Sequence, residues 1–221
     1  MPRRLRPTAP TAAAAVLVGD PGRALLLAQE LLEEPKMSNH ARGLWGYGGK
    51  TAAGEALTIQ STGIGGPSAA VVLTDLAKLG LRRAVRVGTA TAISAELAAG
   101  DMLVVESARA EGASAASFDL AAGDIARPDP ELSQRLGLEL DLRPAAVASF
   151  DTIAAEPMPG AEIVAADMQT ATLFACGQAL GLAVAAVLIV ETTAAGERIS
   201  DEALRAAAKL AGLAAAASLS P

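Results

Sequence analysis

Ser61-Thr62-Gly63-Ile64-Gly65-Gly66-Pro67-Ser68 decides how this chain folds, because the apolar run Ala56–Gln60 leads into it and a helical pattern from Ser68 to Leu79 leads out. The same order of strand, turn and helix recurs. Arg86-Val87-Gly88-Thr89 ends the apolar run Arg83–Val87, and Gly19-Asp20-Pro21-Gly22-Arg23 follows another, Ala12–Val18. Backbone N–H groups at a helix start lack intrahelical partners and point outward with the positive end of the helix dipole, so such turns suit an oxyanion. Arg23 and Arg86 add guanidinium forks that match phosphate oxygens. Three strand ends and two arginines point to a phosphate site.

Working outward, further strand candidates are Met102–Ala108, Ala145–Phe150 and Ala183–Val190. Several runs are apolar at almost every position instead of alternating, as expected for strands covered on both faces. Helical patterns lie between them at Arg23–Leu32, Pro130–Leu136, Met168–Leu180 and Ser200–Ser218, so the fold class is α/β. Gly80, Gly137 and Gly181 are expected as left-handed helix ends, and Ser200 with Asp201 as the start of the last helix. Asp20 is expected to brace its own turn through a side-chain to backbone hydrogen bond. Glu111–Asp129, rich in Gly, Ala, Ser and Asp without a clear period, reads as a loop region near the site.

The 221 residues show no shift in composition and are read as a single domain, 1–221. Aromatics make up only 2% against 52% hydrophobic residues, so the core is expected to consist of closely packed small side chains. A net charge of −6 disfavours nucleic acid as a partner. Cys176 is the one cysteine and His40 the one histidine, which excludes an internal disulfide and any His or Cys metal cluster; no metal or cofactor is expected. Cys176 fits a packing role in a reducing cytoplasm, and His40 a solvent-facing loop. Ala171–Val190 approaches the length of a membrane span, but Gly177, Gln178 and Gly181 interrupt it; helix then buried strand is the reading. No membrane association is expected, and the Ala-rich run after Arg3 and Arg4 reads as a first strand, not an export signal.

Taken in order, the GDPGR turn, the STGIGGPSAAVV turn and helix, RVGTATAIS, and Ala166-Asp167-Met168-Gln169-Thr170-Ala171 resemble the nucleoside phosphorylase family that includes uridine phosphorylase and bacterial hexameric purine nucleoside phosphorylase. Asn39-His40-Ala41-Arg42-Gly43 is similar to the segment by which that family lends an arginine to a neighbouring subunit. The resemblance implies a three-layer α/β/α fold whose mixed sheet curls into a distorted barrel. It also implies phosphorolysis of a nucleoside, with inorganic phosphate as co-substrate, in a homo-oligomer whose minimum unit is a dimer and whose common form is a hexamer. Carried over by position, Gly19, Arg23, Arg86, Gly88 and Thr89 would bind phosphate, with Arg42 supplied by the partner. Asp167, Met168 and Gln169 would face the pentose, and Thr91, Phe150, Ile153 and Thr192 the base. Arg86 and Gln169 are the residues assigned to catalysis. A structural role for Arg86, capping a strand end or pairing with a carboxylate, stands beside the functional one.

The chain departs from the family pattern at several places. Met1–Thr11 holds no histidine to meet a 5′-hydroxyl, Gln169 stands where the family has a glutamate, and Thr192 stands where a base-protonating or base-reading residue is found. Threonine is no general acid near neutral pH, which leaves Glu191, another carboxyl group or water. Gly43 replaces a glutamate associated with a monovalent cation, and no such ion is expected. Two alternatives stay open: a phosphate-independent nucleosidase, and a catalytically weak protein that binds a phosphorylated sugar or nucleotide. A dinucleotide oxidoreductase fits poorly, since Ser68 occupies the place of the third glycine in G-x-G-x-x-G.

Overall fold

Strand β1 (Ala14–Val18) shows why its run is apolar throughout: Ala15 and Leu17 face one core, while Ala14, Val16 and Val18 face the other. The computed structural model describes residues 4–142, 144–152 and 163–220. After β1 come α1 (Pro21–Leu31), β2 (Glu33–Asn39), β3 (Gly46–Lys50), β4 (Ala56–Ser61), α2 (Gly65–Lys78), β5 (Arg83–Ala92) and β6 (Met102–Ala110). The second half runs β7 (Ile125–Ala126), α3 (Pro130–Leu140), β8 (Pro144–Ser149), β9 (Ile163–Asp167), α4 (Thr170–Leu180), β10 (Ala183–Thr192) and α5 (Asp201–Leu219). Helices α2 and α4 cover the first core, and α1, α3 and α5 the second, which makes three layers.

Among the described residues one mixed sheet runs β10-β6-β8-β9-β5-β1-β4-β3-β2, with β7 on β6. A further pairing of β10 with β5 closes β5, β10, β6, β8 and β9 into a barrel, as expected for this fold class. Strand β5 is the node. One edge pairs with β10 along its length, whereas the other pairs with β1 up to Leu17–Arg86 and with β9 only from Thr91–Ala166 onward. Between those pairings the sheet forks, and residues Val87 to Ala90 have no strand partner on that edge.

Small side chains let the layers approach. A Cβ on Gly212 of α5 would lie 2.7 Å from Leu27 Cδ2 of α1, and Ala208, Ala211 and Ala215 are fully buried on the same helix. Ser200 caps α5 by accepting from the Ala203 N–H at 3.2 Å. Gly80 and Gly181 take the left-handed conformation expected of them. Gly137 does not: α3 continues to Leu140, and Asp141 takes the left-handed position at φ 52°. The Glu111–Asp129 segment also differs, since it holds a short 3-10 turn at Ser114–Phe118 and strand β7 paired to β6. Met168 and Gln169 precede α4 instead of opening it. No described helix is long and apolar enough to cross a membrane.

Cys176 is fully buried on α4 against α2, and burial pushes its thiol up to about 11, with the Thr74 hydroxyl opposing. The native thiol therefore stays protonated at neutral pH and is shielded. Labelling with a thiol reagent is expected to wait on unfolding and to become rapid in denaturant. The linked stability is complete below the unfolded thiol's value of about 9 and is lost as pH rises through the native value, because the unfolded chain releases the proton first. A urea midpoint that falls between neutral and strongly alkaline pH, less so in Cys176→Ala, checks this.

Candidate active site

The fork in the sheet opens into a cavity of about 1050 Å³. Gly88, Thr89 and Ala90 form its floor where β5 lacks a neighbour, the turns after β1 and β4 contribute Gly19, Asp20, Pro21, Arg23 and Gly63 to Gly65, and the β9 end contributes Asp167 to Gln169. Four segments distant in sequence thus meet: β1, β4 and β9 end here, whereas β5, expected to end in a turn after Val87, runs on to Ala92 and crosses the site as a strand.

Arg86 lies on the floor with its side chain across Gly88. A Cβ at Gly88 would come 2.6 Å from Arg86 Nη2 and 2.7 Å from Leu188 Cδ2, so only glycine leaves the guanidinium its bed. Gly88→Ala is expected to displace Arg86 and lower stability by about 1–3 kcal/mol, the usual penalty for overpacking. Calorimetric melting together with phosphate affinity checks both effects.

The guanidinium is firmly held. Its Nη2 donates to Asp167 Oδ2 at 2.8 Å, its Nη1 to Gln169 Oε1 at 2.9 Å, and its Nε to Thr170 Oγ1 at 3.2 Å. Three of its five donors are used, leaving two for a ligand. The Asp167 carboxylate is shut off from solvent and also accepts from the Ser149 hydroxyl, the Thr170 hydroxyl and the N–H groups of Gln169 and Thr170. Arg86 therefore pairs with a buried carboxylate, the structural role weighed for it, and at the same time lines the cavity.

The helix starts differ from one another. Asp20 braces its turn as expected, Oδ1 accepting from the Arg23 N–H at 2.7 Å, so its carboxylate occupies the start of α1. Asp167 does the same for α4. Among the described helices only α2, which begins after Ile64 without a side-chain cap, presents an open start, and Ile64 and Gly65 border the cavity. Its turn requires positive φ at Gly63 (73°) and Gly65 (80°), which explains the glycines.

Arg23 lines the same cavity, and its guanidinium makes no hydrogen bond or ion pair with any described residue. Burial lowers its pKa; Asp20 opposes this, the nearby Arg86 charge adds to it, and Glu191 opposes it. Two guanidinium groups face one hollow, and the buried Asp167 is matched to only one of them.

Of the expected site residues, the cavity gathers Gly19, Arg23, Arg86, Gly88, Thr89, Thr91, Asp167, Met168, Gln169 and Thr192. Arg42 stands outside it, exposed, in a left-handed turn at φ 62°. Phe150 borders a small adjoining crevice with Ser114 and Asp151 instead. Ile153 lies outside the described residues. No residue of Glu111–Asp129 lines the cavity. Arg198 is an addition, pairing with Glu191 at 2.7 Å on the cavity wall. The sequence signal for it is the Ala194-Ala195-Gly196 turn, which folds the chain back so that Arg198 bridges Thr192. Among the described residues no group of three His, Cys, Asp or Glu side chains is placed to hold a metal ion.

A family model, that of the phosphorylase superfamily, matches residues 13–219. The chain is 38% identical over 94 residues to a DeoD-type purine nucleoside phosphorylase of Oceanobacillus iheyensis, a stretch that covers 42% of this chain and 40% of that protein. It is 37% identical over 101 residues to a uridine phosphorylase of Haemophilus influenzae, covering 45% and 39% respectively. The matched stretches thus span about two fifths of the length of these relatives. The fold is similar to that of uridine phosphorylase from Vibrio fischeri ES114, with a TM-score of 0.81 at 22% identity over 95% of this chain and 92% of that one. It is equally similar to purine nucleoside phosphorylase from Toxoplasma gondii in complex with immucillin-H, at 0.80 and 21% over 95% and 91%.

Proposed function

The chain belongs to the phosphorylase superfamily, and from that premise we propose that it cleaves the N-glycosidic bond of a nucleoside with inorganic phosphate, giving free base and a pentose 1-phosphate. In this reaction an oxygen of phosphate bonds to C1′ as the C1′–N bond breaks, and the bonding pair leaves with the base, which then takes a proton. Positive charge grows on the sugar and negative charge on the base, so the site must hold an anion beneath C1′. Holding both reactants in place supplies roughly 7–11 kcal/mol in favourable cases.

The observation that carries this reading is Arg23, a cation without a partner among the described residues, beside Arg86 with two donors to spare. Phosphate bridging the two, with Thr89 and the open start of α2 alongside, answers both. Met168 then offers an apolar surface to the pentose, and Thr91, Thr192 and the Glu191–Arg198 pair line the wall left for the base. Arg42, exposed and outside its own chain's cavity, is assigned to a neighbouring copy, with a dimer as the smallest complete unit. A second reading, a protein that binds a phosphorylated sugar without turnover, is favoured by Gln169, whose amide is fully occupied by protein groups.

Base release from a panel of purine and pyrimidine nucleosides, measured with and without phosphate, tests the proposal. Release that requires phosphate is expected. Equal release in phosphate-free buffer would establish hydrolysis instead, and binding without release would establish the second reading.

A further inference from the structure

We propose that Asn39 is a positioning residue: its buried amide shapes the turn that presents Arg42 to the phosphate site of a neighbouring copy, so that its loss is felt in that copy's cavity and not in its own. The inference rests on reading Arg42 as a residue lent across a dimer. Arg42 stands in the 3-10 turn Ala41–Gly43 between β2 and β3, at φ 62° and ψ 19°. A residue with a Cβ rarely takes that left-handed conformation unless its surroundings hold it there. Gly43 follows at φ 70°, so two left-handed residues stand in succession. Arg42 is exposed, and its guanidinium forms no ion pair with any described residue.

Asn39 supplies the hold. It ends β2 and is only 2% exposed. Its Oδ1 accepts from the Arg6 N–H at 2.8 Å, while Nδ2 donates to the Leu44 carbonyl and, at 3.4 Å, to that of Ala41. One side chain therefore joins the residue before the turn to carbonyls on both sides of Arg42. Turned over, the amide would set its oxygen against those two carbonyls, so only one orientation fits. From β4, Gln60 Nε2 donates to the same Leu44 carbonyl at 3.0 Å and to that of Trp45 at 3.3 Å, which fixes the far end where the chain enters β3. Among the described side chains Asn39 alone spans the turn. Asn39→Leu would remove that span and let Arg42 return to ordinary backbone, with its guanidinium redirected. A competing route runs through Leu44, whose Cδ2 lies 3.2 Å from where a Cβ on Gly63 would stand, so a shifted turn would press on the chain's own cavity. The place where the defect falls separates the two.

The test uses mixed oligomers, made by co-expressing two differently tagged full chains and isolating on both tags, with the KM for inorganic phosphate as the readout. Asn39→Leu by itself is expected to raise that KM by roughly tenfold, less than Arg42→Ala does, and to leave the KM for nucleoside nearly unchanged. Paired with Arg23→Ala, it is expected to give a set of sites with the wild-type KM that neither parent shows, because a cavity with its own Arg23 then receives Arg42 from an intact turn. Arg42→Ala paired with Arg23→Ala is expected to do the same. Unchanged phosphate KM in Asn39→Leu overturns the proposal. So does a mixture of it without wild-type sites where the Arg42→Ala mixture has them, since the defect then lies in the chain's own cavity. If Asn39→Leu does not fold, Asn39→Ser is judged by the same two outcomes. An Arg42→Ala mixture without wild-type sites, or a monomeric wild type, overturns the lending of Arg42 and this inference with it. Unaltered phosphate kinetics in Arg23→Ala overturn the placement of the anion and the inference together. Wild-type protein that binds phosphate but cleaves no nucleoside overturns phosphorolysis alone, and calorimetric phosphate affinities of the same mixtures then decide; wild-type protein that binds no phosphate overturns both.

Discussion

Arg86→Ala is expected to abolish phosphate-dependent turnover and, unusually for a site residue, to destabilise the whole fold by about 3–5 kcal/mol. The reason is what it leaves behind. Asp167 would keep its charge in a place shut off from water, with the hydroxyls and N–H groups around it but no cation. A buried ion pair adds little net stability, yet breaking it from one side strands the other charge. Set against a domain stability of about 5–15 kcal/mol, such a loss is large. Urea denaturation followed by circular dichroism measures it, and a double variant separates the two consequences. Arg86→Ala with Asp167→Asn should regain much of the stability, because no charge is then left unpaired, while turnover stays absent. A single variant that melts with the wild type would show that the pair is not what holds this part of the barrel.

Arg23→Ala should have the opposite profile. Its guanidinium has no partner among the described residues, and burial together with the Arg86 charge already works against its charged form in the native state. Removing it is therefore expected to leave the melting temperature unchanged or slightly raised. The ligand loses what the protein does not: charge-assisted hydrogen bonds contribute about 1.5–3 kcal/mol each, so the KM for phosphate should rise by roughly ten- to 150-fold. The KM for nucleoside should move far less. A variant with unaltered phosphate kinetics would place the anion elsewhere in the cavity.

Arg23 was legible in the sequence because it follows an apolar run and a turn, whereas Arg86, read as ending the run Arg83–Val87, lies inside β5, which runs on through Gly88 to Ala92. Their different circumstances were not legible. Whether a guanidinium is paired depends on Asp167, which is 81 residues from Arg86 and reaches it only because β9 and β5 are neighbours. The same limit explains the missed strands. Glu33–Asn39 is an edge strand, exposed over its first five residues, that carries Pro35 and five charged or polar residues, so no apolar run marks it. Gly46–Lys50 is mostly glycine, and a Cβ on Gly46 would collide with the Gln60 side chain of β4; its pairing, not its composition, makes it a strand. Gly137 looked like a helix end because glycine tolerates positive φ, but α3 gains Leu140 against the second core by running on. Gln169 was readable as a substitution for a glutamate, whereas its bonds to two carbonyls of a turn over 100 residues away were not.

The fork beside β5 has a further meaning for how chemistry and architecture are joined. An interior sheet ordinarily satisfies its peptide groups with other peptides, and from Val87 to Ala90 this one leaves an edge open. An oxyanion settling there, as proposed, would take the place of a missing rung. On the proposed function the phosphate would be the last piece of the ladder, so that taking up the ligand and completing the sheet would be one event.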